Sequence, residues 1–193
     1  MNRIVIYCGS ATPADPRYMA LAREVGEELA RRGIGIVYGG GRLGLMGAVA
    51  SGALNAGGEV IGVIPEALAG SEVANTDCTE LHLVGGMHER KKLFTDLSDG
   101  FITLPGGVGT MDELWEAVSW AQLGYHDKPV GLLNAFGFFD HLIAFKRHMA
   151  AVGFIRPAHQ DIVKVADSLP ELLDLLAGHQ PHRPIFQMEA SEL

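Results

Sequence analysis

The chain has 193 residues, 48% hydrophobic and 20% charged, so we expect one globular domain with a substantial core. Its formal net charge is −8. This charge argues against the basic face that broad contact with nucleic acid or an anionic membrane requires. The two cysteines, Cys8 and Cys78, form no CxxC pair or disulfide framework, and no apolar stretch approaches the roughly 20 residues of a membrane span. Because a strand is predicted directly at the N-terminus, we expect no signal peptide and a cytoplasmic protein.

Apolar runs and amphipathic segments alternate along the chain. Strands are predicted at residues 3–8, 34–38, 59–64, 81–84, 100–104 and 129–133, with a short extended piece near 162–165. Helices are predicted at residues 16–32, 43–56, 87–97, 110–123, 138–150 and 169–176. Continuously apolar strands are typical of a parallel sheet with both faces covered. The predicted fold class is therefore α/β, a Rossmann-like doubly wound parallel sheet flanked by helices, formed by residues 1–178 and followed by an irregular tail at 179–193.

The dinucleotide-binding fingerprint is missing from the places where this fold carries it. The first strand–helix turn, residues 9–13, lacks the GxGxxG pattern, and the second strand ends at Tyr38 before three glycines rather than before an acidic residue. A GxGxxG spacing does occur from Gly39 to Gly44, but it is a weak signal in a chain with 25 glycines. Adjacent glycines let the backbone approach a ligand closely, so Gly40 and Gly41 are predicted to line a site.

The most informative segment follows the predicted strand at residues 100–104. It is a glycine-rich turn that leads directly into a helix, and it reads Pro105-Gly106-Gly107-Val108-Gly109-Thr110. Free backbone N–H groups and the positive end of a helix dipole meet at such a junction, which suits a phosphate group. We therefore expect the chain to bind a phosphorylated small molecule and this loop to hold the phosphate.

Two charged residues allow both a structural and a catalytic interpretation. Thr110 and Glu113 have the spacing of a capping box with Thr110 as N-cap, and the local pattern alone favours that interpretation. Glu113 also lies on the same face of the helix as Glu116, three residues further on. One of these carboxylates would then face sugar hydroxyls or a water. Arg90 falls beside an apolar stripe, either ending in solvent or placing its guanidinium at the mouth of a glycine-rich cleft. The residues alone leave both alternatives open.

Four motifs in a fixed order carry a family resemblance. They are YGGG at residues 38–41, GLMG at 44–47, MHERK at 87–91 and PGGVGTMDE at 105–113. In this combination the chain resembles the LOG (Lonely Guy) family, the cytokinin riboside 5′-monophosphate phosphoribohydrolases, up to about residue 165. The resemblance implies a homodimer that hydrolyses the N-glycosidic bond of adenine nucleoside 5′-monophosphates, AMP or N6-prenylated AMP. The products would be the free base and ribose 5-phosphate.

The resemblance also implies roles for individual residues. Arg90 and Glu113 would be the catalytic pair. The substrate-binding residues would be Ser10, Gly40, Gly41, Met87, Lys91, Pro105, Gly106, Gly107, Val108, Gly109, Thr110 and Glu116. The partner is then a nucleoside 5′-monophosphate, with no nucleic acid, no membrane and no cofactor. Eight histidines are present, but the sequence has no HExxH motif or Cys/His cluster, which argues against a metal site.

Two functions from other classes stay open. A non-catalytic nucleotide-binding or carrier protein with the same loop would bind AMP tightly without turnover. A pyridoxal-phosphate-dependent lysine decarboxylase would need a lysine that forms a Schiff base. The candidate lysines are Lys91, Lys92, Lys128, Lys146 and Lys164, and none of them lies in an evident cofactor context.

Overall fold

A computed structural model describes residues 1–69 and 73–187 and shows one parallel sheet within them. The strands are β1 (Arg3–Tyr7), β2 (Gly35–Tyr38), β3 (Val60–Pro65), β4 (Glu80–Val84), β5 (Gly100–Thr103), β6 (Val130–Leu133) and β7 (Val163–Ala166). The helices are α1 (Arg17–Arg31), α2 (Gly44–Asn55), the single turn α3 (Glu66–Leu68), α4 (Met87–Leu97), α5 (Val108–Leu123), α6 (Asp140–Ala151) and α7 (Leu169–Ala177). Short 3₁₀ turns lie at Ala135–Gly137, Pro157–His159 and Ile185–Gln187.

Alternate residues of each central strand face opposite layers of helices. In β1, Ile4 and Ile6 belong to a core cluster with α1, α2 and α7, while Val5 and Tyr7 belong to a second cluster with α4 and α5. This alternation follows from the two-residue period of a strand, and it explains why these strands read as continuously apolar. The predicted α/β fold, a doubly wound Rossmann-like sheet covered on both faces, is confirmed.

The order of the strands creates a crevice at one edge of the sheet. The order is β4-β3-β2-β1-β5-β6-β7, so the chain turns to one side after β1 and to the other side after β5. Loops that leave adjacent strands in opposite directions open the crevice in which ligands of this fold class bind. The two loops meet at its base, where the Gly9 N–H donates to the Pro105 carbonyl over 3.1 Å.

The predicted element boundaries agree with the structure to within two residues. The two-residue difference at the start of α5 is consequential, because the helix begins at Val108 with Gly107 as N-cap, not at Thr110. Thr110 is therefore the third helical residue, and the capping-box interpretation of Thr110 and Glu113 is wrong. The region predicted as an irregular tail includes the 3₁₀ turn at Ile185–Gln187 and packs back on the domain, since His182 Nε2 lies 2.8 Å from the Ala121 carbonyl. Residues 188–193 of that tail lie outside the described residues.

None of the helices within residues 1–69 and 73–187 combines the length and the apolar character needed to cross a bilayer.

Candidate active site

The glycine-rich loop and the first turn of α5 form an open anion site. Gly107 is extended, and the first helical hydrogen bond runs from the Met111 N–H to the Gly107 carbonyl, 3.1 Å away. The backbone N–H groups of Val108, Gly109 and Thr110 therefore have no acceptor within the helix. Val108 is 88% exposed, and Gly107 and Gly109 are exposed as well. The loop thus directs free donors and a helix dipole at solvent, the arrangement predicted for phosphate.

The glycines of this loop differ in whether neighbouring atoms leave space for a side chain. A Cβ added at Gly107 or Gly109 would meet no described atom within 4 Å, whereas one at Gly106 would lie 2.2 Å from Thr110 Oγ1. Thr110 and Pro105 are buried. Gly106 is therefore required for packing of the turn, while Gly107 and Gly109 leave space on the outer side where a ligand would approach.

Arg90 is buried in the interior beside the strand ends. Its side chain extends from α4, and the residue is 8% exposed. Nε donates to the Val63 carbonyl and Nη2 donates to the Gly39 carbonyl, each over 3.1 Å. The guanidinium also stands 5.2 Å above the ring of Phe94, one turn further along α4. The alternative in which this arginine ends in solvent is wrong.

Gly39 was missed by the sequence analysis, although it is the first residue of the predicted glycine cluster. A Cβ at this position would lie 2.2 Å from Arg90 Nη2 and 2.8 Å from Met46 Sδ. Its lack of a side chain admits the guanidinium, and its carbonyl binds it. The adjacent Gly40 has a φ of 72° and would place a Cβ 3.0 Å from Ile64 Cβ. Gly40 thus has a structural reason to be glycine, and its binding role stays a prediction.

Glu113 faces Arg90 across the gap between α5 and α4. Its side chain is 11% exposed, and Oε1 lies 3.6 Å from Arg90 Nη1, an ion pair longer than a hydrogen bond. Burial raises the pKa of the Glu113 carboxyl to about 7; Asp112 and Glu116 also raise it, whereas Arg90 and Lys91 lower it. The carboxyl therefore changes its charge near neutral pH, as expected for an acid–base group in an active site.

Lys91 lies beside this pair and is held by carboxylates of α5. Its Nζ lies 2.8 Å from Asp112 Oδ2 and 3.3 Å from Glu116 Oε1, and its side chain is 11% exposed. Burial lowers the pKa of Lys91, but the two carboxylates outweigh burial and raise it. Asp112 was not among the predicted site residues, because its partner lies on another helix. The structure thus joins Arg90 and Lys91 of α4 to three acidic residues of α5.

The other predicted residues lie around this centre. Met87 begins α4, is exposed, and places Sδ 3.8 Å from Arg90 Nη1. Ser10 is exposed in the loop after β1. Its carbonyl oxygen packs against Gly44, and a Cβ added at Gly44 would lie 2.4 Å from that oxygen. Gly9 links this loop to the glycine-rich loop through Pro105. Segments that follow β1, β2 and β5 thus meet the N-terminal parts of α4 and α5 at one edge of the sheet.

The raised pKa of Glu113 predicts a pH-dependent contribution to stability. An unfolded glutamate has a pKa of about 4.3, so between about pH 4.3 and pH 7 the folded carboxyl keeps a proton that the unfolded chain has lost. The folded state then binds more protons, and the free energy of unfolding falls as the pH rises, by about 4 kcal/mol in total. Glu113→Gln should remove this component. Urea unfolding at pH 5 and pH 8 measures it, with Glu24→Gln on the exposed side of α1 as control. Parallel pH dependences of Glu113→Gln and the unmodified protein would contradict the prediction.

Comparison with known proteins identifies the family. A family model described as "possible lysine decarboxylase" matches residues 46–176. A probable cytokinin riboside 5′-monophosphate phosphoribohydrolase of Oryza sativa subsp. japonica is 47% identical over 180 residues, which cover 93% of this chain and 79% of that protein. A cytokinin riboside 5′-monophosphate phosphoribohydrolase of Arabidopsis thaliana is 42% identical over 193 residues, covering 100% of this chain and 91% of that protein.

Solved structures at lower identity share the fold. The molybdenum cofactor binding protein of the phototrophic bacterium Rippkaea orientalis has a TM-score of 0.69 at 22% identity, covering 92% of this chain and 97% of that one. The molybdenum cofactor carrier protein of Chlamydomonas reinhardtii has a TM-score of 0.67 at 21% identity, covering 91% and 96%. At such identities the likeness concerns the fold alone. The family follows from the sequence relatives, and the chain belongs to the LOG family, whose members carry the name cytokinin riboside 5′-monophosphate phosphoribohydrolase.

Proposed function

We propose that the protein hydrolyses the N-glycosidic bond of adenine nucleoside 5′-monophosphates, AMP or N6-prenylated AMP, to the free base and ribose 5-phosphate. The observation that carries this proposal is the buried pair of Arg90 and Glu113 next to an open anion site at the helix N-terminus. The relatives that are 42% and 47% identical are named for this activity, which supports it.

The glycine-rich loop supplies the site for the 5′-phosphate. The free N–H groups of Val108, Gly109 and Thr110 donate to phosphate oxygens, and the dipole of α5 adds a favourable field. The phosphate does not react, so its binding energy serves to position the bond that breaks. Remote binding energy of this kind lowers the barrier by holding the ribose against the catalytic groups.

Glu113 stabilises the developing charge on the ribose. Breaking the ribosyl–base bond passes through an oxocarbenium-like state, and a nearby carboxylate offsets its positive charge. The ionised carboxylate also accepts hydrogen bonds from the ribose hydroxyls or the attacking water. A pKa of about 7 means that about half of the molecules carry this charge at neutral pH.

Arg90 holds the nucleotide and assists departure of the base. Backbone carbonyls accept two of its N–H groups, so further donors of the five-donor guanidinium serve the substrate. Its fixed position also keeps the Glu113 carboxylate oriented. The pair supplies a preorganised electrostatic environment that water would have to reorganise to provide.

The first test is turnover of AMP and of N6-isopentenyl-AMP, followed by chromatography of the free base and ribose 5-phosphate. We expect release from at least one substrate and a loss on the order of 10²–10³-fold or more in Glu113→Gln and in Arg90→Ala. Arg31→Ala and Glu24→Gln on the exposed surface of α1 are matched controls with unchanged rates. A folded Glu113→Gln or Arg90→Ala protein with near-full activity would refute the assigned role.

The same experiment separates the two alternatives. AMP binding without release of base would favour a nucleotide-binding or carrier protein and leave Glu113 without a catalytic role. A lysine decarboxylase would show the absorbance band of a pyridoxal-phosphate Schiff base in the purified protein and would release carbon dioxide from lysine. The ion pairs of Lys91, which raise its pKa, oppose the neutral amine that a Schiff base requires.

Gly39→Ala tests whether the position of the guanidinium matters. The added carbon would lie 2.2 Å from Arg90 Nη2, so the guanidinium has to move while the backbone conformation stays allowed for alanine. A displacement on the order of 1 Å is expected to lower kcat/KM roughly 10²-fold. Gly178→Ala, whose nearest atom would lie at 3.5 Å, is the matched control. If circular dichroism shows that both variants are folded and their activities are equal, the function of Arg90 tolerates a displaced guanidinium and the prediction is wrong.

We further propose that two copies associate through an apolar groove between α5 and α6. This groove has a volume of about 470 Å³, and its lining includes Trp115, Val118, Leu142, Phe145 and Met149. Phe145 is 57% exposed and extends the apolar lining of the groove to the surface. A second copy would cover it, and a stable dimer buries about 800 Å² per partner.

Light scattering coupled to size exclusion tests the proposed dimer. We expect a mass of two chains for the unmodified protein and of one chain for Phe145→Glu, because a buried unpaired carboxylate opposes association. Leu83→Glu on the edge strand β4 is the control, since Leu83 is equally exposed but lies at the other end of the sheet. A dimer that survives Phe145→Glu, or a monomeric unmodified protein, would refute this interface.

The remaining expectations concern partners and location. Both cysteines are free thiols, Cys8 buried and Cys78 half-buried, which suits a reducing compartment. We propose that the protein acts in the cytoplasm on a nucleoside monophosphate, without nucleic-acid or membrane partners, because its net charge is −8.

A further inference from the structure

A second set of charged groups lies directly beside the catalytic pair. Lys91 follows Arg90 in α4, and Asp112 precedes Glu113 in α5, so the two helices are joined by two adjacent ionic contacts. The first is Arg90 with Glu113, at 3.6 Å. The second is Lys91 with Asp112 and Glu116, at 2.8 and 3.3 Å. Since the second contact belongs to the same pair of helices, a change there acts on the catalytic pair.

The five side chains are not balanced in charge. Three carboxylates lie within about one turn of α5, and Glu116 is at i+3 from Glu113, which makes them neighbours on the helix surface. Two cations of α4 oppose them. If Lys91 were neutral, three carboxylates would face one guanidinium, and repulsion would act most strongly on the carboxylate that is least hydrated. Glu113 is that carboxylate, with 11% of its side chain exposed against 22% for Glu116 and 56% for Asp112.

We propose that Lys91 is a positioning residue for the reaction, whose ammonium neutralises Asp112 and Glu116 and thereby keeps Glu113 ionised and directed at Arg90. This inference rests on the proposed hydrolase activity. It departs from the prediction that Lys91 binds substrate, because two of its three ammonium donors already face carboxylates. The substrate-binding alternative becomes an outcome of the test.

Titratable groups of three parts of the chain interact with Glu113. Arg90 and Lys91 face it from α4, and Asp112 and Glu116 flank it on α5. Tyr7, the last residue of β1, and Cys8, directly after it, also interact with it. Burial raises the pKa of both Tyr7 and Cys8, with Glu113 as a second cause, so both stay neutral in the range of the experiment. The charges that remain to be varied are therefore Lys91 and its two carboxylate partners.

The experiment compares the pH profiles of kcat/KM for variants that change this charge in opposite directions. Lys91→Met keeps the alkyl stem but removes a positive charge, so the acid limb, which reports Glu113 in the free enzyme, should move to higher pH. Asp112→Asn removes a negative charge, so the limb should move to lower pH. Each shift should be on the order of half a pH unit or more. Lys91→Arg keeps the charge and should restore the limb to near its original position.

Two controls isolate the effect. Lys92→Met changes the neighbouring lysine, which pairs with the exposed Asp96 on the same helix, and should leave the profile unchanged. Titration of the substrate phosphate near about pH 6 is common to all variants, so only differences between profiles are interpreted. The carboxyl carbon of Glu113 is followed in parallel by ¹³C NMR of the free protein, with Glu113→Gln to assign the signal.

The outcomes are distinguishable. Opposite shifts for Lys91→Met and Asp112→Asn, with rescue by Lys91→Arg, support the proposal. A raised KM in Lys91→Met with an unmoved limb shows that Lys91 binds substrate, and equal loss in Lys91→Met and Lys91→Arg without a shift shows a packing role; either result overturns it. The NMR midpoint needs no turnover, so an inactive protein would refute the hydrolase while the shift of Glu113 still tests Lys91.

Discussion

The geometry of the site depends on one constraint, which is that the buried guanidinium of Arg90 needs a partner for its charge and its donors. The carbonyl of Val63, within β3, and the carbonyl of Gly39, directly after β2, accept its N–H groups, and Glu113 supplies the opposite charge from α5. Because both carbonyls belong to the backbone of neighbouring strands or their direct continuation, they hold the guanidinium against the sheet. In the proposed reaction, the catalytic arginine would thus be held by the sheet, and the surrounding loops would supply the binding groups.

Burial of this pair also sets its charge state. Glu113 lies three to five residues beyond the free N–H donors of the first turn of α5, about 4.5–7.5 Å along the helix axis. A dianionic phosphate at those donors disfavours ionisation of Glu113, whereas Arg90 and Lys91 favour it. In the proposed reaction, binding of the nucleotide and ionisation of the carboxylate would thus oppose each other unless the cations of α4 compensate. This opposition gives a physical reason for two cations of α4, Arg90 and Lys91, to pair with carboxylates of α5.

The sequence predicts the fold well and the site only partly, for a physical reason. Strand and helix periods are local, so the predicted elements and the doubly wound sheet are confirmed. The predicted start of α5 was wrong because Thr110 and Glu113 have the spacing of a capping box. In the structure Gly106 packs against the Thr110 side chain, and the helix begins two residues earlier. Gly39 was overlooked because its role depends on Arg90, 51 residues away. Such contacts leave no trace in a local pattern, and neither does the pairing of Lys91 with Asp112.

The same fold occurs in molybdenum cofactor carrier proteins, so the fold does not decide between a carrier and an enzyme. The arrangement of charges does favour one of them. A carrier gains nothing from a buried carboxylate beside its phosphate site, because that carboxylate repels the ligand that the glycine-rich loop attracts. A hydrolase uses the same carboxylate once positive charge develops on the ribose ring. In the proposed reaction, Glu113 would thus be unfavourable in the ground state and favourable in the transition state, and interactions of that kind accelerate a reaction rather than strengthen binding.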